Sequence, residues 1–327
     1  MDAYPLATRP FFRDYLWGGR KLHTMLSKPI PAEGIWAESW EIVDHAEHQS
    51  IVDNGPLAGM SLRQISAEHQ EWLLGNRVDS PKSLPLLLKY LDCQQVLSVQ
   101  VHPDDAYASR MAPADLGKTE AWYIVAAEPD AVLYAGLKPG TSPTMLNAAI
   151  DEGQVDDVLH KINPRAGDCI FIPAGTVHAL GAGLVVAEIQ QASNTTFRLF
   201  DWNRVGADGN SRPLHVEQAL EVIDFSACAR SVQTPTETSQ AGRKHLVHCE
   251  KFVLDCIQNV SAIDLLADGC FHYLTTPTGG IELLWECLGQ TRELRLEVGN
   301  SVVLPAAMPT TAVRLGPNAV LLDMYLP

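Results

Sequence analysis

Residues 98–105 read SVQVHPDD, so Ser98, Gln100 and His102 alternate with Val99 and Val101 until Pro103 ends the run. Period-two alternation is the mark of a half-buried strand. The valines explain themselves as a core face. The polar face is a candidate for chemistry. Two further places offer comparable side chains beside apolar runs: Glu120, where KTEAWYIV begins, and His178, just past CIFIP and the turn AGT. Gly175 permits that turn to be tight. Imidazole nitrogen with carboxylate and amide oxygen is a mixed donor set suited to zinc, with a position left for water or substrate. Two cations accompany the donors. Lys118 lies two residues before Glu120 and on a strand would face the same side. Arg198, in NTTFRLFDW, stands between apolar neighbours and could either grip an anion through its planar fork or pair with a carboxylate. Asp104 and Asp105 could orient zinc-bound histidines, or simply form an exposed turn.

The elements that would position these residues are mostly strands. Short apolar runs bounded by Gly, Pro, Asn or Asp recur along the 327 residues, among them GIWAESWEIV, WYIVAA, AVLYAGL, GLVVAEIQ, IELLWECL and AVLLDMYL. That is the pattern of a sandwich or barrel. Helical spacing is confined to MSLRQISAEHQEWLLG, SPTMLNAAIDEG, DDVLHKI and HVEQALEVID. The expectation is a mainly β fold with helical insertions. Residues 166–178, AGDCIFIPAGTVH, are echoed at 298–310, VGNSVVLPAAMPT, with Gly167, Pro173 and Ala174 matched by Gly299, Pro305 and Ala306. The echo suggests two related barrels. His178 corresponds to Thr310, so the second barrel should lack a metal ligand there. The polar, turn-rich stretch 228–242 is the expected linker, which divides the chain into 1–227 and 243–327.

Composition narrows the function further. A hydrophobic fraction of 46% and a charged fraction of 19% are those of a soluble globular protein. A net charge of −15 argues against nucleic acid or an anionic membrane as partner. No apolar run is long enough to span a bilayer, and the N-terminus has no basic-then-apolar leader. Seven scattered cysteines without a CxxC pair fit a reduced, cytoplasmic compartment.

Taken together, LSVQVHPDD, GKTEAWYIV, IPAGTVHALG and EIQQASNTTFRLFDWNR resemble the type I mannose-6-phosphate isomerases in their shorter bacterial form, as do YLWGGRKL and AESWEIVDH nearer the N-terminus. The resemblance implies a metal-dependent cupin fold of two jelly-roll barrels, and one zinc ion per chain held by Gln100, His102, Glu120 and His178. It implies Arg198 and Lys118 as active-site cations, Ser98 on the substrate side, and a hexose phosphate as the small-molecule partner. The chain would be a monomer or weak homo-oligomer. The implied reaction interconverts mannose 6-phosphate and fructose 6-phosphate through a cis-enediol. Lys118 could act as the base, or hold the phosphate while Glu120 or a metal-bound water moves the proton. Longer members read His-Lys-Pro-Glu where this chain reads Gly-Lys-Thr-Glu, so Gly117 removes a histidine. Two rival readings stay open: a non-catalytic sugar-phosphate-binding cupin, and another metal cupin enzyme. The metal cupins of the latter kind carry His-x-His where this chain has Gln-x-His.

Overall fold

The computed structural model describes residues 1–45, 48–77, 83–206 and 209–327. It is mainly β, built as two jelly-roll barrels of the cupin type. In the first, a six-stranded antiparallel sheet runs in the order Cys169–Ile172, Glu120–Ala127, Leu184–Gln191, Leu86–Cys93, Glu38–Ile42, Phe11–Arg13. It faces a five-stranded sheet ordered Leu159–Ile162, Leu133–Leu137, His178–Leu180, Val99–Val101, Phe197–Phe200. In the second, seven strands include His272–Thr278, Val320–Tyr325, Val253–Ile257 and Ser301–Leu304, and four more form the opposite wall. The N-terminal Leu6–Ala7 strand joins this second sheet by pairing with Ser301–Leu304. Within 228–242, Val232 bridges Ile170 and the Thr236–Glu237 strand pairs with Arg243–His248.

Strand alternation explains how the barrels are joined. Successive side chains point to opposite faces, so one set fills a barrel and the other fills the space between barrels. Leu91, Trp122, Ile124, Leu184 and Val186 pack inside the first barrel. Their neighbours Tyr90, Ala121, Tyr123, Ala187 and Ile189 share one cluster with Leu254, Cys256, Tyr273, Val303, Leu322 and Met324 of the second. The hydroxyl of Tyr90 meets that of Thr275 at 2.6 Å, and Tyr273 donates to the Leu86 carbonyl at 3.3 Å. The barrels are therefore packed back to back through a single apolar layer.

Two helical expectations need correction. DDVLHKI is not a helix: a 3₁₀ turn at Val155–Asp157 leads into the Leu159–Ile162 strand, which pairs with Leu133–Leu137. Pairing at the open sheet edge overrides a short, weak helical pattern. MSLRQISAEHQEWLLG forms two helices, Leu62–Glu68 and Gln70–Leu74, because the backbone turns out of helical geometry at His69. The first is closed by a reciprocal capping box between Ser61 and Gln64. Pro143–Asp151 begins, as its sequence suggests, on a Ser142 cap. Among the described residues no helix is long and apolar enough to cross a membrane.

The two echoed segments occupy equivalent places. Ile172 is in register with Glu120, and Leu304 is in register with His272. His272 thus stands in the second barrel where Glu120 stands in the first. It lies in a closed ionic cluster. His272 contacts Asp323 at 2.7 Å and Asp268 at 3.4 Å, while Arg243 bridges Asp255 at 2.6 Å and Asp323 at 2.7 Å. Thr310 accepts the Ala267 amide at 3.3 Å. Burial disfavours the His272 imidazolium, yet Asp323 and Asp268 outweigh it and raise its pKa to about 9. With the folded value above the unfolded one, this stabilisation is complete below about pH 6.5 and is lost as pH rises through about 9, a term on the order of 3 kcal/mol. Thermal melting of wild type and His272→Gln should therefore differ most near pH 6 and converge above pH 9.5. Parallel curves across that range would refute the assignment.

Candidate metal centre

The Val99–Val101 strand has a neighbour on each side, and Gln100 lies in register with His178 on one side and Arg198 on the other. One polar row therefore crosses three strands. His102 follows the same strand. His178 is placed by the turn before it, in which Gly175 has φ 82° and donates its amide to the His102 carbonyl at 2.9 Å. A Cβ there would also press on the Val222 carbonyl at 3.0 Å, so the turn specifically suits glycine. Glu120 enters from the facing sheet at the head of its strand.

These side chains converge. His102, Glu120 and His178 are all buried and offer ligand atoms within 4.8 Å of one another. The Nε2 atoms of His102 and His178 lie 3.5 and 3.4 Å from the two Glu120 oxygens. Both edges are close to the edge of about 3.4 Å that a tetrahedral ion with bonds near 2.1 Å requires, so the donor chemistry suits a metal ion. The remaining nitrogens fix the tautomers: His102 Nδ1 lies 2.9 Å from the Thr195 carbonyl and His178 Nδ1 lies 2.8 Å from the Thr176 carbonyl. Each Nδ1 is the donor, which leaves each Nε2 lone pair for a cation. Burial pushes both imidazoles down, His178 to about 4, with the Lys118 charge adding to the effect. The Lys118 ammonium sits among these donors, 3.0 Å from His102 Nε2 and hydrogen-bonded to Glu120. Gln100 turns its amide nitrogen to His178 Nε2 at 3.2 Å and accepts from Ser98 at 3.4 Å. As an oxygen ligand it would need that amide rotated by half a turn.

The cavity in front of the donors has a volume of about 360 Å³ and is lined by Ser98, Gln100, Lys118, Glu120, His178 and Arg198, among others. Arg198 is half-buried, and its Nη1 donates to the Pro213 carbonyl at 2.9 Å. Its buried Nε has no hydrogen-bond partner among the described residues. Burial and the neighbouring Arg212 lower its pKa. The nearby carboxylate, Asp201, is engaged instead by Arg204 at 2.5 Å and Arg212 at 2.6 Å. Of the two readings open for Arg198, an anion grip matches this geometry and a carboxylate pair does not.

Residues 6–151 match the family described as phosphomannose isomerase type I, catalytic domain. The mannose-6-phosphate isomerase of Streptococcus mutans is 39% identical over 240 residues, 73% of this chain and 73% of its own length. The chain belongs to the type I mannose-6-phosphate isomerase family. The mannose-6-phosphate isomerase ManA of Bacillus subtilis is 39% identical over 224 residues, 68% of this chain and 69% of its own. The crystal structure of the mannose 6-phosphate isomerase from Bacillus subtilis covers 98% of this chain and 99% of its own, at 30% identity and a TM-score of 0.89.

Within this family member, the motifs led to Ser98, Gln100, His102, Lys118, Glu120, His178 and Arg198; six of them line one cavity, and His102 lies just behind it against Lys118 and Glu120. They did not lead to Lys89, Glu188 and Glu38, which also line it. Lys89 faces Glu188 in register and at 3.4 Å, with Glu38 at 4.0 Å and Lys118 3.5 Å from Glu188. Burial opposes the Lys89 charge, but Glu188 and Glu38 together hold its pKa above the usual lysine range. Burial raises the pKa of Glu188. The available signal was an ionisable residue inside a largely apolar strand, Lys89 in LPLLLKYLDC and Glu188 in GLVVAEIQ. Asp104 and Asp105 do not orient the histidines, since backbone carbonyls fill that role. Asp104 caps the short Asp105–Ala108 helix, and Asp105 pairs elsewhere.

The carbonyl that orients His102 is itself held. Asp115 accepts from Thr195 Oγ1 at 2.7 Å and Ser193 Oγ at 2.9 Å, and meets His45 at 3.3 Å. Burial works against its charge, yet the His45 and Thr195 hydrogen bonds keep its pKa below the usual carboxylate range. Asp115→Ala should weaken zinc binding roughly 10- to 100-fold, the scale for losing a partner behind a metal ligand. Chelator competition measures it; an unchanged zinc affinity would show that the Thr195 carbonyl needs no such support.

Proposed function

We propose that this chain is a zinc-dependent mannose-6-phosphate isomerase, interconverting mannose 6-phosphate and fructose 6-phosphate through a cis-enediol. The observation that carries the reading is the polar row His178–Gln100–Arg198 on one sheet, facing Glu120 and Lys118 across a single cavity. His102, Glu120 and His178 would hold the ion, with Gln100 beside them, and the ion when bound supplies a Lewis acid to polarise the sugar oxygens. The second barrel, with Arg243 and His272 in its polar interior, acts as scaffold and holds no metal.

The isomerisation removes a proton from C2 of the aldose and returns one to C1. Negative charge develops on the oxygens at C1 and C2. Arg198 lines the cavity with its Nη1 anchored on the Pro213 carbonyl, so its guanidinium is already in place for that charge. Lys118 moves the proton. It is buried with Glu120, His102 and Glu188 around its ammonium, so loss and recapture of a proton occur beside groups able to share it. The same surroundings make Lys118 a poor phosphate anchor, because its donors are already directed at protein groups. The phosphate is better served by Arg212, which lines the same cavity. Arg204 and Arg212 share the single carboxylate Asp201, which leaves one net positive charge at that end of the cavity for the phosphate. Ser98 lies between the two ends and hydrogen-bonds the substrate.

The fork of Arg198 is the element that a point charge cannot replace. Arg198→Lys should fold, retain zinc, and lose turnover on mannose 6-phosphate by roughly 10²- to 10³-fold. Turnover measured beside zinc content and melting temperature decides it. Near-normal turnover with a lowered melting temperature would make Arg198 structural.

A further inference from the structure

The segment 117–120 carries both Lys118 and Glu120, and its placement has an unusual source. Gly117 donates its amide to Asp105 Oδ1 at 2.8 Å, and Thr119 donates to Gln191 Oε1 at 3.0 Å. The Gln191 amide nitrogen donates in turn to the same Asp105 oxygen at 2.9 Å, and the Gln191 backbone amide returns to the Thr119 carbonyl at 3.1 Å. Lys118 donates its own amide to the Pro103 carbonyl at 3.0 Å. Asp105 and Gln191 thus form a bracket behind the segment. The contact is tight: a Cβ on Gly117 would lie 2.5 Å from the Asp105 nitrogen and 2.6 Å from the Asp104 carbonyl carbon. Any side chain at 117 is therefore incompatible with the bracket. This is the physical reason why the histidine found there in longer members has no place in this chain.

The second oxygen of Asp105 is held from the other barrel. Lys251, in the turn between the Arg243–His248 and Val253–Ile257 strands, places its ammonium 2.7 Å from Asp105 Oδ2. Despite partial burial, the Asp105 pKa is lowered, with Lys251 and the Gly117 amide as the main favourable partners. With Oδ2 engaged, the carboxylate is turned so that Oδ1 meets Gly117 and Gln191 together.

We infer that Lys251 is a positioning residue for the active site: through Asp105 and Gln191 the second barrel sets the placement of Lys118 and Glu120. The inference rests on the isomerase reading for its kinetic readout and not for its metal readout. The pair is half-exposed, with side-chain exposures of 36% for Lys251 and 41% for Asp105. Such a pair contributes roughly 0–1 kcal/mol to stability, so a purely structural role predicts little effect on anything.

The test uses the full-length zinc-loaded protein and the variants Lys251→Met, Lys251→Arg, Asp105→Ala and the Asp105→Ala/Lys251→Met double. The readouts are kcat and KM for mannose 6-phosphate, zinc affinity by chelator competition, and melting temperature. Asp105→Ala should lower kcat and zinc affinity roughly 10- to 100-fold. Lys251→Met should lower kcat roughly three- to tenfold, with KM and melting temperature nearly unchanged. Lys251→Arg should restore most of the loss. The double variant should be no worse than Asp105→Ala alone, because Lys251 acts only through Asp105. Wild-type kcat and zinc affinity in Lys251→Met, or additive losses in the double, would overturn the inference. Wild-type protein inactive on mannose 6-phosphate would instead strike the isomerase reading, and the zinc-affinity comparison would still decide the role of Lys251.

Discussion

The Glu120 carboxylate is the constraint around which the first barrel is organised. It is almost completely buried, and a buried charge costs several kcal/mol unless it is paired and hydrogen-bonded. The structure answers with the Lys118 ammonium on one oxygen and two neutral imidazoles facing the pair. Every other feature of the site serves that arrangement. The Thr195 and Thr176 carbonyls fix which histidine nitrogen faces inward, Asp115 holds the Thr195 segment, and the Asp105–Gln191 bracket holds the strand end that delivers Glu120. A group of acceptors converging this closely is stable only around a cation, and the Lys118 ammonium stands among them here.

The second barrel meets the same physical problem and solves it with side chains. At the register position of Glu120 it has His272, and the strands alongside carry Asp323, Asp255 and Arg243. Arg243 spans the two aspartates and His272 closes on one of them, so the interior charges are satisfied within the protein. The second barrel thus keeps a polar interior in which a guanidinium and an imidazole answer the buried carboxylates. What remains of its contribution to the site is mechanical: the shared apolar layer and the reach of Lys251 across it.

Much of this was legible in the chain. Period-two alternation located the strands, and its polar face in SVQVH, Gln100 and His102, together with Glu120 at the head of KTEAWYIV, pointed to the candidate site. The limits are equally physical. Alternation assigns a face but not what lies across the barrel, so Lys89 and Glu188, paired only through the register of two strands far apart in sequence, went unnoticed. DDVLHKI was misjudged because edge pairing outweighs local pattern. Asp105 could not be assigned because its partners Gln191 and Lys251 come from two other parts of the fold, one of them in the other barrel.

The central claim is that one barrel binds a metal and its twin has replaced the metal with a guanidinium. Anomalous difference maps at the zinc edge, from crystals grown with a modest excess of zinc, test it directly. The account predicts one strong peak per chain between His102, Glu120 and His178, and none within reach of His272, Asp323 or Arg243. A peak of comparable height in the second barrel, or no peak in the first, would contradict it.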